Sequence, residues 1–167
     1  MSLLYKIKFK IIQTIYPYKI RKTAASCKGR IYVGDKSFVT ANTYLGNNVC
    51  FNGMKIFGNG KVTIGNNFHS GGGCQIITSF HNYEGDSIPY DNTFIDKDVI
   101  IEDNVWLGNN VIILGGTTIG EGSIVQAGSV VCKSLPKYSI SGGHPAVPFK
   151  YRNQEHYEKL KKEEKFH

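Results

Sequence analysis

A chain of 167 residues has room for one ordinary domain with a buried core. Its 41% hydrophobic and 20% charged content excludes a disordered or fibrous chain, and no apolar run approaches the ~20 residues of a membrane span. The net charge of +7 is local: residues 1–30 carry eight Lys/Arg and no acid, residues 31–147 six against nine, and residues 148–167 six against four. That distribution speaks against the basic stripe of a nucleic-acid-binding domain, and points to a surface-seeking N-terminal segment.

Within the basic segment 1–30, Leu4, Ile7, Ile11 and Ile15 follow three- and four-residue steps, with Lys6, Lys10 and Gln13 on other faces. The spacing predicts a short amphipathic helix. Lys-rich helices of this kind lie on anionic membrane surfaces, so residues 1–22 are a candidate peripheral membrane contact, the alternative being a helix packed across the base of the fold. The segment lacks the apolar stretch of a secretory signal, and the expected location is cytoplasmic, with the inner membrane face as the candidate attachment.

Residues 31–147 are governed by a repeat. Val33, Val39, Leu45, Phe51 and Phe57 stand six apart, a seven-residue step near Gly60 leads to Ile64, and Ile76 follows twelve further on. After residue 94 the signal is cleaner: Ile95, Ile101, Leu107, Ile113, Ile119, Val125 and Val131 are aliphatic at consecutive six-residue steps. Two residues ahead of the last six stand Val99, Val105, Val111, Thr117, Ser123 and Ser129, all β-branched or small. Glycines and Asn-Asn pairs (47–48, 66–67, 109–110) follow many of these markers and suit the left-handed backbone of tight corners. A period of six fits short strands joined by corners, three sides closing a coil of about eighteen residues whose aliphatic side chains stack into a column. The expected class is all-β, a parallel β-solenoid.

Between Thr78 and Phe94 the markers stop, and S-F-H-N-Y-E-G-D-S-I-P-Y-D-N reads as a loop extruded from the coils, the place where chemistry tends to sit on a rigid scaffold. Residues 148–167 are a charged tail in which Glu155/Lys159 and Glu158/Lys162 pair at i,i+4, predicting a solvated helix. Cys27, Cys50, Cys74 and Cys132 are scattered without metal-ligand spacing, so reduced thiols and no metal are expected.

Three stretches carry a resemblance: V-W-L-G-N-N-V-I-I-L-G-G-T-T-I-G at 105–120, A-G-S-V-V-C-K at 127–133 and G-H-P-A at 143–146. They resemble the hexapeptide-repeat acetyltransferases, in particular the branch containing maltose, galactoside and capsular-polysaccharide O-acetyltransferases. The resemblance implies a left-handed parallel β-helix, a homotrimer of chains packed side by side, acetyl-CoA as acyl donor and a sugar hydroxyl as acceptor. Amino sugars, serine or xenobiotics are acceptors in other branches, and a non-catalytic scaffold is the alternative of another class. The γ-class carbonic anhydrases share the coil but bind zinc through three histidines, and this sequence has none between His81 and His144.

Transfer from a thioester to an alcohol needs a base, and histidine titrates in the right range. By the resemblance that base is His81, in the extruded loop ahead of Trp106. Trp106, Asn109, Ala127, Gly128, Cys132, Lys133 and Lys150 correspond to the coenzyme path; Cys132 departs from the family's threonine there. Asn52 and Glu84 are the candidate acceptor contacts. Asp86 and Asp91 share the loop with His81, and His144 stands where the family carries asparagine.

Overall fold

The computed structural model describes residues 3–167. It is a left-handed parallel β-helix with three faces, flanked by a helix at each end of the chain. The first face stacks Ser26–Cys27, Thr43–Leu45, Val62–Ile64, Val99–Ile101 and Thr117–Ile119. The second stacks Ile31–Asp35, Val49–Asn52, His69–Gly72, Trp106–Leu107, Ile124–Val125 and Ser139–Gly143; the third stacks Lys55–Phe57, Gln75–Ile77, Ile112–Leu114 and Val130–Val131. Pairing within each face is parallel, so every coil hydrogen-bonds the coils above and below it and the interior needs no polar group of its own.

The two expected tracks are the core. Ile101, Leu107, Ile113, Ile119, Val125 and Val131 are fully buried, as are Val99, Val105 and Val111 beside them. The small polar members of the second track close on each other or on backbone: the Ser123 hydroxyl donates to the Pro136 carbonyl (2.8 Å), and the Ser139 hydroxyl to Ser123 (3.3 Å). Corners repeat one chemistry. Asn48, Asn67, Asn104 and Asn110 sit at φ of 53° to 60°, where asparagine is tolerated, and the first three donate side-chain bonds along one edge, Asn48 to Asn67 at 3.0 Å and Asn67 to Asn104 at 2.9 Å.

Three markers behave otherwise than the period predicts. Phe57 is 47% exposed, and the inward residue of its strand is Ile56 at 4%. Val39 is only partly buried. Ile95 lies outside the coils, in the strand Phe94–Asp96 that pairs antiparallel with Ser79–His81 at the base of the extruded loop. Residues stacked across that loop are 37 apart, against 18 for Ile112 and Val130, so the insertion is about one coil long and returns the chain in step by coincidence of length.

The N-terminal helix, α1 (Leu3–Thr23), is longer than its stripe suggests and runs through Pro17. It closes the open end of the first coil through Ile12 and Ile20, both buried in the core cluster. At the other end, Ala146–Tyr151 is a strand folded back antiparallel on Ser139–Gly143, extending the sheet of the second face ahead of the C-terminal helix. The C-terminal helix, α2 (Gln154–Lys162), follows, with Asn153 as N-cap accepting from the His156 N–H at 2.8 Å. One face of this charged helix is not solvated: Tyr157 is 6% exposed. Among the described residues, no helix is long and apolar enough to cross a membrane.

Candidate active site

The extruded segment leaves the third face at Thr78 and returns at Lys97, where the Lys97 N–H donates to the Thr78 carbonyl at 2.8 Å and closes its base. The Thr78 hydroxyl donates to the Phe57 carbonyl of the coil below, also at 2.8 Å. His81 faces Phe94 across the two-stranded stem. Its ring is exposed, stacks on Tyr90 (centroids 3.9 Å apart, planes 15°) and meets Phe94 at 4.5 Å and 37°. These aromatic contacts set the plane of the imidazole, while no described residue hydrogen-bonds either ring nitrogen.

The tip beyond is held by its own polar groups. The Asp91 carboxylate accepts from both the Thr93 N–H (2.8 Å) and the Thr93 hydroxyl (2.6 Å), and those bonds lower its pKa. Asn82 accepts from the Glu84 N–H at 3.1 Å. Neither Glu84, Asp86 nor Asp91 reaches the His81 imidazole; Glu84 is an exposed turn residue, and the orientation of the ring is aromatic in origin.

A second feature lies on the second face. The outward side chains of Tyr32, Cys50, His69 and Trp106 stand in register, one per coil. Between this ladder and α2 with the residues after it runs a groove of about 930 Å³. Trp106 is 53% exposed on its wall, and Asn52 lines it too, donating to the Ser70 carbonyl at 2.8 Å with its amide nitrogen 3.5 Å from His69 Nε2. Burial first, and the nearby His167 second, lower the pKa of His69. Arg30, Arg152, Lys161 and Lys165 also line the groove, and among the described residues no carboxylate side chain does.

The outer wall is held to the coil by several polar contacts, with Tyr157 at their centre. The Tyr157 hydroxyl accepts from Asn104, the last member of the asparagine ladder, at 2.7 Å and donates to Glu121 at 3.2 Å. Arg152 lies over the same ring, 4.9 Å from its centroid. Glu121 also bonds Lys161 and lies 3.6 Å from Lys137. Burial opposes ionisation of Glu121, but Lys161, Tyr157 and Lys137 together hold its carboxyl below the usual range. Burial, chiefly, raises the Tyr157 phenol.

The candidate residues therefore fall in separate places on one chain. His81 and Glu84 are on the hairpin; Asn52 and Trp106 share the groove; Asn109, Ala127 and Gly128 form the corner between the second and third faces. Asn109 works between coils there, accepting from the Gly72 N–H at 2.8 Å. Gly108 lies so near Ala127 that an added Cβ would sit 2.5 Å from the Ala127 nitrogen. Gly128 adopts φ 72°, and its carbonyl is bound by a His144 ring nitrogen, which accounts for a histidine at that position. Cys132 and Lys133 are exposed just past Val130–Val131, and Lys150 is exposed opposite Ile140. The period did not reveal Tyr157, Arg152 or His69 as groove residues; a lone aromatic in a charged helix was the available signal for Tyr157.

No curated protein sequence matches the chain. Residues 98–133 match the family model described as bacterial transferase hexapeptide (six repeats). Among solved structures, the hexapeptide-repeat containing acetyltransferase VCA0836 from Vibrio cholerae is 26% identical, with a TM-score of 0.71 over 88% of this chain and 87% of that one. The same Vibrio protein in complex with acetyl-CoA superimposes with a TM-score of 0.66 over 88% and 84%, also at 26% identity. A maltose O-acetyltransferase from Clostridium difficile 630 is 24% identical, with a TM-score of 0.67 over 87% and 83%. A galactoside acetyltransferase in complex with coenzyme A is 22% identical, with a TM-score of 0.69 over 93% and 82%. Residues 98–133 thus carry the hexapeptide repeat, and the coil is built like those of solved acetyltransferases that contain it.

Proposed function

We propose that this protein is an acetyl-CoA-dependent O-acetyltransferase acting on a sugar hydroxyl of a surface-polysaccharide intermediate, with His81 as general base. One observation carries the reading. An exposed imidazole, its plane set by Tyr90 and Phe94 and its nitrogens free of described partners, stands on a hairpin raised from a rigid coil. In the proposed reaction the imidazole takes the acceptor hydroxyl's proton as that oxygen attacks the thioester carbonyl carbon. The tetrahedral oxyanion then collapses, the C–S bond breaks, and the leaving thiolate takes the proton back from the imidazolium.

The proposed working unit is a homotrimer. His81 is not among the residues lining the groove that holds Asn52 and Trp106 in the same chain. Side-by-side packing would bring the hairpin of one chain to the groove of the next, with Asn52 and Glu84 toward the acceptor. Trp106, Asn109, Ala127, Gly128, Cys132, Lys133 and Lys150 are the proposed coenzyme contacts; the small corner at Ala127–Gly128 suits a pantetheine arm, and the two lysines suit its phosphates. The solved neighbours holding acetyl-CoA or coenzyme A support the choice of donor.

The test is loss of the acetyl-CoA thioester across free sugars, amino sugars, serine and a lipid-linked oligosaccharide extract, with His81→Ala in parallel. The thioester is followed by chromatography, because exposed Cys132 would itself react with a thiol reagent. Sugar-dependent turnover abolished in the variant is expected. Turnover equal in both proteins refutes the base, and failure to bind acetyl-CoA refutes the transferase.

A further inference from the structure

Helix α1 carries two apolar stripes on opposite sides, and only one meets the coils. Ile12 and Ile20 are 6% and 1% exposed, with Tyr16 packed beside them. That side is pinned by Gln13 to the Tyr32 hydroxyl (2.8 Å) and by Arg21 to the Gly29 carbonyl (2.5 Å). At 3.6 residues per turn, Leu4, Ile7, Ile11, Ile15 and Tyr18 fall within an arc of about 80° on the far side. They are 80%, 49%, 50%, 42% and 62% exposed. Lys6 and Lys10 border this stripe on one flank and Lys8 and Lys19 on the other, Lys22 ends it, and the first acid in the chain is Asp35.

The direction of the stripe follows from what α1 covers. Its inner side reaches Tyr32 on the second face and, through Tyr16, Phe38 on the third (6.0 Å, edge to face), so the helix lies across the end of the first coil. The outer stripe therefore points away from the stack, its last ring, Tyr18, lying under the Lys22 ammonium at 5.8 Å. A helix needs one apolar side to cap a coil; a second, continuous and framed by cations alone, marks a contact surface.

We propose that this surface docks α1 flat on an anionic lipid bilayer, the five apolar side chains entering below the headgroups and the flanking lysines lying at phosphate level. The coil stack then stands with its first coil at the membrane. Charge selects this occupant over a second copy of the chain, because a helix–helix contact would bring two lysine-framed stripes together without a single acid between them. The surface is separate from the hairpin and the groove, so the inference does not depend on the reaction proposed above. In a trimer three such helices would act together, and binding would strengthen by effective concentration.

The experiment is flotation of the full-length protein with vesicles of phosphatidylcholine containing one quarter phosphatidylglycerol, and with phosphatidylcholine alone. Flotation with the anionic vesicles only is expected. The variant Ile7→Asp/Ile11→Asp/Ile15→Asp, whose exposed positions leave folding intact by circular dichroism, should lose at least about a hundredfold in partitioning. Lys6→Glu/Lys8→Glu/Lys10→Glu should lose flotation likewise. Wild-type protein that does not float, or an aspartate variant that floats like wild type, overturns the proposal. If wild type fails to float and the aspartate variant sediments as a smaller species, the stripe belongs to a contact between chains.

Discussion

Removing the Tyr157 hydroxyl tests whether one buried phenol holds the outer wall of the groove. In Tyr157→Phe, Asn104 loses the acceptor it now has at 2.7 Å, and Glu121 loses a donor at 3.2 Å while keeping Lys161. A neutral bond of this kind contributes about 0.5–1.5 kcal/mol, and one to a charged group about 1.5–3. The second bond is long and its acceptor retains another partner, so the net cost is about 1–3 kcal/mol. The ring itself stays packed, and the loss is one of hydrogen bonds alone. Urea unfolding at a fixed protein concentration measures it, and a cycle with Asn104→Gly, which keeps the positive φ accessible, isolates the pair. A coupling of about 1 kcal/mol is expected. A cost under about 0.5 kcal/mol with no coupling would refute the claim that Tyr157 ends the asparagine ladder energetically as well as geometrically.

His81→Ala should lower turnover by about 10²–10⁴-fold while leaving the melting temperature unchanged, since the ring is exposed; a lower melting temperature with retained turnover would make the residue structural. Ile101→Ala should cost about 2–5 kcal/mol and Ile95→Ala under about 1, although the six-residue period treats them alike; equal costs in urea would place Ile95 in the coil after all. Because the Glu121 carboxyl is held below its ordinary value of 4.5, its contribution to docking α2 is fully present above that pH and is lost as the pH falls through the lowered value. Trp106, the single tryptophan and a wall of the same groove, should report the release as a fluorescence change on acidification that Glu121→Gln abolishes; identical profiles would sink the assignment.

The coil was legible because each inward residue has to be aliphatic or small wherever the chain turns every six residues. Ile101 through Val131 meet that condition without exception. The period failed where it had nothing physical to count: Ile95 kept step across an insertion that happened to be about one coil long. At Phe57 the six-step frame selected the larger apolar residue, while the backbone turned Ile56 inward. The N-terminal helix was legible as a helix, but two apolar stripes on one helix do not say which is inside, and the stripe read from the spacing is the exposed one. Of the candidate site, the hairpin and its histidine announced themselves by interrupting the repeat. The groove did not, because its outer wall comes from a charged helix about fifty residues away in sequence from Trp106, held to the coil through Tyr157 and Lys161.

The closed base of the hairpin has a consequence for how this scaffold can change. The chain leaves at Thr78 and returns at Lys97 through a direct backbone bond of 2.8 Å, and the next coil resumes in the register it would have had without the excursion. Such a junction is a cassette port. A segment of any length with ends that meet at that bond can be exchanged there without asking the coils to repack, the entropic cost of a longer loop rising only as the logarithm of its length. The rigid column and the variable loop are thus free to diverge at different rates, the one constrained at every sixth residue and the other only at its two ends.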